Sequence, residues 1–143
     1  MATNAGEDTL TLFRLRPGSR LERIADTAAG AHEPRGIVVD GKGRRAYVAN
    51  FNGGKGAGAV TTFAIEPSGL KLLTAAAATG SSGSEGIALS SDAKALYVAN
   101  FNTDGNGSIT SFPVTSDGLL GPPREPIETG GRQPDLTSIT LAR

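Results

Sequence analysis

The sequence predicts an all-β repeat protein, and three observations predict it. Six letters recur unchanged fifty positions apart: YVANFN stands at Tyr47–Asn52 and again at Tyr97–Asn102. The copies extend well beyond those letters, since GIVVDGKGRRAYVANFN (Gly36–Asn52) aligns with GIALSSDAKALYVANFN (Gly86–Asn102) over 17 residues without a gap. Finally, 20 glycines and 8 prolines are spread along the chain, as turns between short strands require.

The elements follow in order. Ala2–Gly6 (ATNAG) resembles VANFN and places Asn4 with Asn50 and Asn100, so the chain opens within the second strand of a unit. Thr9–Leu15 and Arg20–Asp26 supply the third and fourth strands, with Phe13 standing for Phe63 and Phe112. The middle unit holds four apolar runs, Gly36–Val39, Arg45–Asn50, Ala59–Ile65 and Leu70–Ala77. Between them lie DGKG, NGGKGAG and PSG, which carry the Gly, Asn and Asp that tight hairpins need. The next unit repeats this plan, SITSFPVTSDGLLGP (Ser108–Pro122) following AVTTFAIEPSGLKLL (Ala59–Leu73) after a one-residue change in loop length. At the far end QPDLTSITL (Gln133–Leu141) resembles EPRGIVVD (Glu33–Asp40), a first strand.

Runs such as GIVV and AYVA are apolar at consecutive positions, so both faces of those strands are covered, as when sheets stack. Four antiparallel strands per unit, at a period near fifty residues, describe a β-propeller. A β-sandwich with an accidental duplication is the competing reading, and the gapless alignment argues against it. The chain then divides into strands B, C and D of one blade (1–30), two whole blades (34–80 and 85–129) and a lone A strand (134–143). These two remnants are complementary. The Asn4–Asn50 and Asn50–Asn100 spacings are 46 and 50, and running past Arg143 back to Asn4 adds 47, like a circle of three units cut between strands A and B. Three blades are too few to close around an axis, and open β edges and blade faces invite association. The expectation is a head-to-tail homodimer forming one six-bladed ring, with a nine-bladed trimer as the variant. That the chain is a fragment is the competing reading, against which stand Met1 and the complementary ends.

Composition narrows the partners. The chain has 143 residues, enough for one domain burying roughly 70% of its unfolded surface. Lys+Arg and Asp+Glu both count 14, so no global field draws it to nucleic acid or an anionic membrane, and neither is expected as a partner. The absence of cysteine removes disulfides, thiolate nucleophiles and Cys-based zinc sites. MATNAGEDTL has no basic or apolar region of a secretory signal, and no run approaches the ~20 apolar residues of a span, so a soluble, cytoplasmic protein is expected.

The rhythm GI.VS.DG..LYVAN followed by G.V..F.V...G.L resembles the lactonase-type propellers with YVTN-type repeats, which include bacterial phosphogluconolactonase and the fungal carboxymuconate-lactonizing enzyme. The resemblance covers essentially the whole chain and is specific for architecture rather than chemistry. It implies a ring that this chain alone cannot close, because the family's usual seven blades need more than twice this length.

Blade proteins bind ligands at the channel mouth, where the D–A and B–C loops converge. The stretches entering the A strands read AHEPRG (Ala31–Gly36), SGSEGI (Ser82–Ile87) and GRQPDL (Gly131–Leu136). The B–C loops add NAGED (Asn4–Asp8), NFNGGKG (Asn50–Gly56) and NFNTDGNGS (Asn100–Ser108). Glu33 and Glu85, one residue either side of the repeat register, are candidate general acids or bases. His32, the one histidine, suits proton transfer near neutral pH. Arg35 and Arg132 can anchor a carboxylate or phosphate bidentately. Asn50 and Asn100 are substrate-binding candidates whose simpler role is to hold the B–C loop. The resemblance implies a His, Glu and Arg set around the mouth, and HEPRG carries it to His32, Glu33 and Arg35. Asn102–Ile109 (NTDGNGSI) resembles half of an EF-hand loop, but Pro113 stands where the bidentate Glu belongs and strands flank it, so it reads as a turn. No metal ligands are assigned; a channel divalent metal such as calcium, held by Glu and Asn oxygens, is left open without a dedicated motif, and no other cofactor is implied. Nor is there a G-x-S-x-G nucleophile.

The expected function is a lactonase- or cyclase-like enzyme using acid–base chemistry on a small organic acid, lactone or polyketide-like metabolite. Hydrolysis, ring closure and isomerisation are all open to it. A non-catalytic ring that binds a ligand or presents loops to another protein is the alternative.

Overall fold

Side-chain alternation along each strand decides how the sheets stack. The computed structural model describes residues 1–54, 56–103 and 105–132, with Pro134, Ile139 and Leu141. Its first sheet is β1 (Ala2–Asn4), β2 (Thr9–Arg16) and β3 (Arg20–Ala28). The second is β4 (Pro34–Val39), β5 (Arg45–Asn50), β6 (Ala57–Glu66) and β7 (Gly69–Ser82). The third is β8 (Ser84–Leu89), β9 (Ala95–Asn100), β10 (Asn106–Pro113) and β11 (Ile127–Arg132). Within each sheet every neighbour is antiparallel and follows in chain order. This is the propeller blade expected from the repeat, with β4 and β8 as A strands and β1, β5 and β9 as B strands.

The stretch AYVA in β5 buries both faces. Ala46 and Val48 join Phe63 and Leu70 against Leu10 and Leu12 of the first sheet. Tyr47 and Ala49 join Val60 against Leu96, Val98 and Phe112 of the third. The middle blade therefore carries a core on each side, which is why its strands lack polar alternation. The Tyr47 hydroxyl donates to the Gly118 carbonyl at 3.0 Å, tying the second blade to a turn of the third. Burial pushes the Tyr47 phenol above its ordinary pKa. The A strands meet at Gly36, where a Cβ would come within 2.3 Å of the Glu85 carbonyl oxygen, so only glycine fits that approach.

Two differences from the expected elements have local causes. The D strand β7 runs on to Ser82, because Ala59 and Ala57 keep pairing with Ala78 and Ser82. In the third blade the D strand β11 starts only at Ile127. Pro122, Pro123 and Pro126 precede it and cannot donate to a ladder. The A strand expected over 134–143 lies outside the described residues except for Pro134, Ile139 and Leu141. Pro134 stands over Gly107 as Ser84 stands over Gly58: a Cβ on either glycine would approach Pro134 Cδ or Ser84 Oγ to 2.0 Å. Among the described residues no helix is long and apolar enough to cross a membrane.

Candidate functional site

Each D strand enters the next A strand through one repeated turn, and the strand register aligns its copies. Pro34 opposes Asn50 as Ser84 opposes Asn100, so Glu33 corresponds to Gly83 and Arg35 to Glu85. Ala57 opposes Ser82 as Asn106 opposes Arg132, which aligns His32, Ser82 and Arg132. Gly30, Gly80 and Gly130 hold the start of this turn with φ of 76°, 78° and 75°. Glu33 and Gly83 are both left-handed at its end, with φ of 50° and 65°.

An asparagine of the B–C loop clamps each of the first two turns. Asn52 Oδ1 accepts from the His32 amide at 3.1 Å, and its Nδ2 donates to the Ala57 carbonyl at 2.9 Å. Asn102 repeats both bonds with Ser82 and Asn106. The backbone seals the junction, Phe51 N donating to Glu33 O at 2.9 Å and Phe101 N to Gly83 O at 2.8 Å. The Phe51 and Phe101 rings meet edge to face at 5.8 Å, and the Arg35 guanidinium lies 4.9 Å over the Phe51 ring.

Between the first two blades these loops border a shallow, open cleft of about 420 Å³, lined by Ala5, Gly6, Asp8, His32, Glu33 and Gly53, with Asn52 among them. Asp8 reaches in from the B–C loop of the first blade. Its Oδ2 lies 2.8 Å from His32 Nδ1, and its Oδ1 accepts from the Glu33 amide at 2.7 Å. The Glu33 amide bond first, and then the His32 bond, hold the Asp8 carboxyl below its ordinary range. An ionised carboxylate only accepts, so Nδ1 carries the shared proton, and a ring holding that proton alone presents Nε2 as an acceptor. The His32 side chain is 81% exposed, so Nε2 is open to a ligand. The carboxylate of Glu33 accepts from the Gly53 amide at 2.7 Å through Oε2, and Oε1 lies 4.0 Å from an Arg35 nitrogen. The Nε of Arg35 is buried without a partner.

The other candidates stand elsewhere. Glu85 is buried on β8, and Arg132 is exposed at the end of β11. Asn50 and Asn100 are wholly buried, with their Nδ2 donors spent inside their own blades, while among the described residues Asn50 Oδ1 has no hydrogen-bond partner. Asn50 Nδ2 donates to Val48 O and Thr61 Oγ1, and Asn100 bonds Ser84, Ser108 and Thr110. The structure thus brings His32 and Glu33 to the cleft, sets Arg35 behind Glu33 outside its lining, and adds Asp8, which sequence reasoning placed only in a mouth loop. A wider cleft of about 730 Å³ lies at the opposite end, among the A–B turns of the second and third blades and the C–D turn of the third. Its carboxylates cap their own turns, Asp40 accepting from the Arg44 amide and Asp92 from that of Lys94. Among the described residues no three His, Cys, Asp or Glu side chains are grouped to hold a metal ion. Asp104, in the loop that resembles half an EF-hand, lies outside the described residues.

Residues 43–138 match the family model described as lactonase, seven-bladed β-propeller. Among solved structures, the periplasmic gluconolactonase of Pseudomonas aeruginosa superposes with a TM-score of 0.67 at 26% identity, over 82% of this chain and 34% of that one. A candidate 6-phosphogluconolactonase of Bacteroides fragilis gives 0.70 at 24% identity, over 85% and 32%. Another, of Bacteroides uniformis, gives 0.72 at 23%, over 92% and 38%. No curated protein matches significantly. The chain spans about a third of the length of these structures. With its repeated four-stranded blades and a family match over well more than half its length, the chain belongs to the lactonase family of seven-bladed β-propellers.

Proposed function

We propose that the cleft between the first two blades is an acid–base site for hydrolysing a small lactone, of the sugar-acid class named for the gluconolactonase neighbour. One observation carries the reading: an ionised carboxylate holds the Nδ1 edge of an exposed imidazole in a cleft. Water attacks the lactone carbonyl carbon while His32 Nε2 takes its proton, giving a tetrahedral oxyanion and an imidazolium that Asp8 stabilises. The carbonyl re-forms, the ring C–O bond breaks, and His32 returns the proton to the leaving alkoxide. The product is an open hydroxy acid. Asp8 acts as the positioning residue, and Glu33 ties the loop through Gly53 and sits beside Arg35. Arg35 supplies positive charge for an anionic substituent or the oxyanion. Run backwards, the same steps close a ring.

The test is lactone opening, followed as proton release from gluconolactone and its 6-phosphate, with the spontaneous rate subtracted. His32→Gln is expected to lower kcat/KM by about 10²–10⁴-fold, the usual worth of a general base, with the fold intact by circular dichroism. A variant as fast as the parent overturns the role of His32. A parent no faster than buffer favours a non-catalytic ring.

A further inference from the structure

The two outer faces of this three-sheet stack repeat most of the two halves of the core already formed between its second and third blades; on β1 the counterpart of Val98 is Ala2, and Leu96 has none. In that core one half is Tyr47, Ala49, Val60 and Ala77, and the other is Leu96, Val98, Phe112, Val114 and Leu120. In β9 and β10, Leu96, Val98 and Phe112 face inward, so alternation turns Tyr97, Ala99 and Ile109 outward. Ile127 opposes Ile109 on that same outer face and is 74% exposed. These four match Tyr47, Ala49, Val60 and Ala77 in the repeat.

On the other side, Leu10 and Leu12 of β2 face the second blade, and Phe13 and Leu15 face away. Leu21 opposes Leu15 as Leu120 opposes Val114. Phe13, Leu15 and Leu21 therefore match Phe112, Val114 and Leu120, yet Leu15 and Leu21 are 72% and 66% exposed. One face offers the tyrosine half of a blade core and the opposite face offers the phenylalanine half. On the first of these faces Ala99 is already buried and Tyr97 and Ile109 are half-buried, so the apolar surface left open in a single copy is Ile127 there and Leu15 and Leu21 on the other.

We propose that a second copy of this chain covers them head to tail, with the β9–β10 face of one copy on the β2–β3 face of the next. The Tyr97 hydroxyl would then reach a carbonyl of the Pro17–Ser19 turn, as Tyr47 reaches Gly118. The occupant is a second copy because the complement of each face is present on this same chain, in the same residue types and register. Two copies joined this way carry six blade equivalents, one fewer than the seven of the family model and within the range at which propellers close.

The test uses the 143-residue chain, with mass by light scattering over a dilution series. Leu21→Glu spoils one face and Ile127→Glu the other, and both sites are exposed enough for the separate chain to keep its fold. The parent is expected at twice 14.5 kDa, and each variant is expected to dissociate at concentrations at least tenfold higher. Mixing the two variants is expected to restore association, because the pair retains one intact head-to-tail contact. A parent that stays monomeric throughout overturns the proposal. So does a parent whose association neither substitution weakens. If each variant dissociates but the mixture does not recover, like faces pair and the head-to-tail arrangement is wrong.

Discussion

At Asp8 a single carboxylate holds two loops: Oδ1 takes the Glu33 amide and Oδ2 the His32 ring. Both bonds favour the charged form, so the folded-state pKa lies below the ordinary 3.8. The sign follows from linkage. The stabilisation is complete above the ordinary carboxylate pKa and is lost as pH falls through the depressed folded value. By NMR, the Asp8 carboxyl carbon is expected to titrate with a midpoint below 3.8. In His32→Gln that midpoint rises part of the way back, since the Glu33 amide is the larger cause and stays in place. A parent midpoint at the ordinary value contradicts the two-bond geometry. His32, Glu33 and Arg35 were legible in the sequence because they crowd into one stretch, HEPRG. Asp8 was not, because its partner is 24 residues away and nothing local marks the pairing.

The repeated D–A turn shows how an element can be conformationally tolerant in one copy and closed in the next. Glu33 adopts its left-handed φ with a full side chain, so that backbone alone does not demand glycine. In the next copy, Gly83 lies under two rings. An added Cβ would stand 2.8 Å from Phe51 Cε2 and 3.2 Å from Phe101 Cβ. Gly18 is also left-handed, with φ 73°, but has open space around it. Gly83→Ala is therefore expected to cost about 2–4 kcal/mol, strain plus overpacking, against about 1 kcal/mol for Gly18→Ala. Urea unfolding of both variants measures the difference, and equal losses would mean that ring crowding contributes nothing. Strand positions at this scale were largely readable, since apolar runs and Gly-rich turns recur with the repeat. The late start of β11 depended on three prolines whose effect a repeat alignment passes over. Arg35 and Glu85 share a strand position, each just before the aligned Gly36 or Gly86, and the ladder of Pro34 and Ser84 against Asn50 and Asn100 bears this out.

For the whole molecule, three repeated phenylalanines separate what the chain stabilises alone from what the proposed association would add. Phe63 and Phe112 are wholly buried between sheets, whereas Phe13 holds the same position on an outer face and is half-buried. Phe112→Ala removes a filled core position and is expected to cost about 3–5 kcal/mol at any protein concentration. Phe13→Ala removes little that a single copy uses. Under the proposed head-to-tail contact its cost enters through assembly, and anything that binds only the folded chain raises the apparent melting point by mass action. The parent's Tm is therefore expected to climb with concentration in a thermal melt. In Phe13→Ala the climb flattens, while the dilute-limit Tm stays near that of the parent. Phe112→Ala lowers the whole curve and leaves a slope. If Phe13→Ala instead lowers Tm by as much as Phe112→Ala at every dilution, the outer face of β2 is packed within the single chain and the equivalence of the three positions holds without a partner.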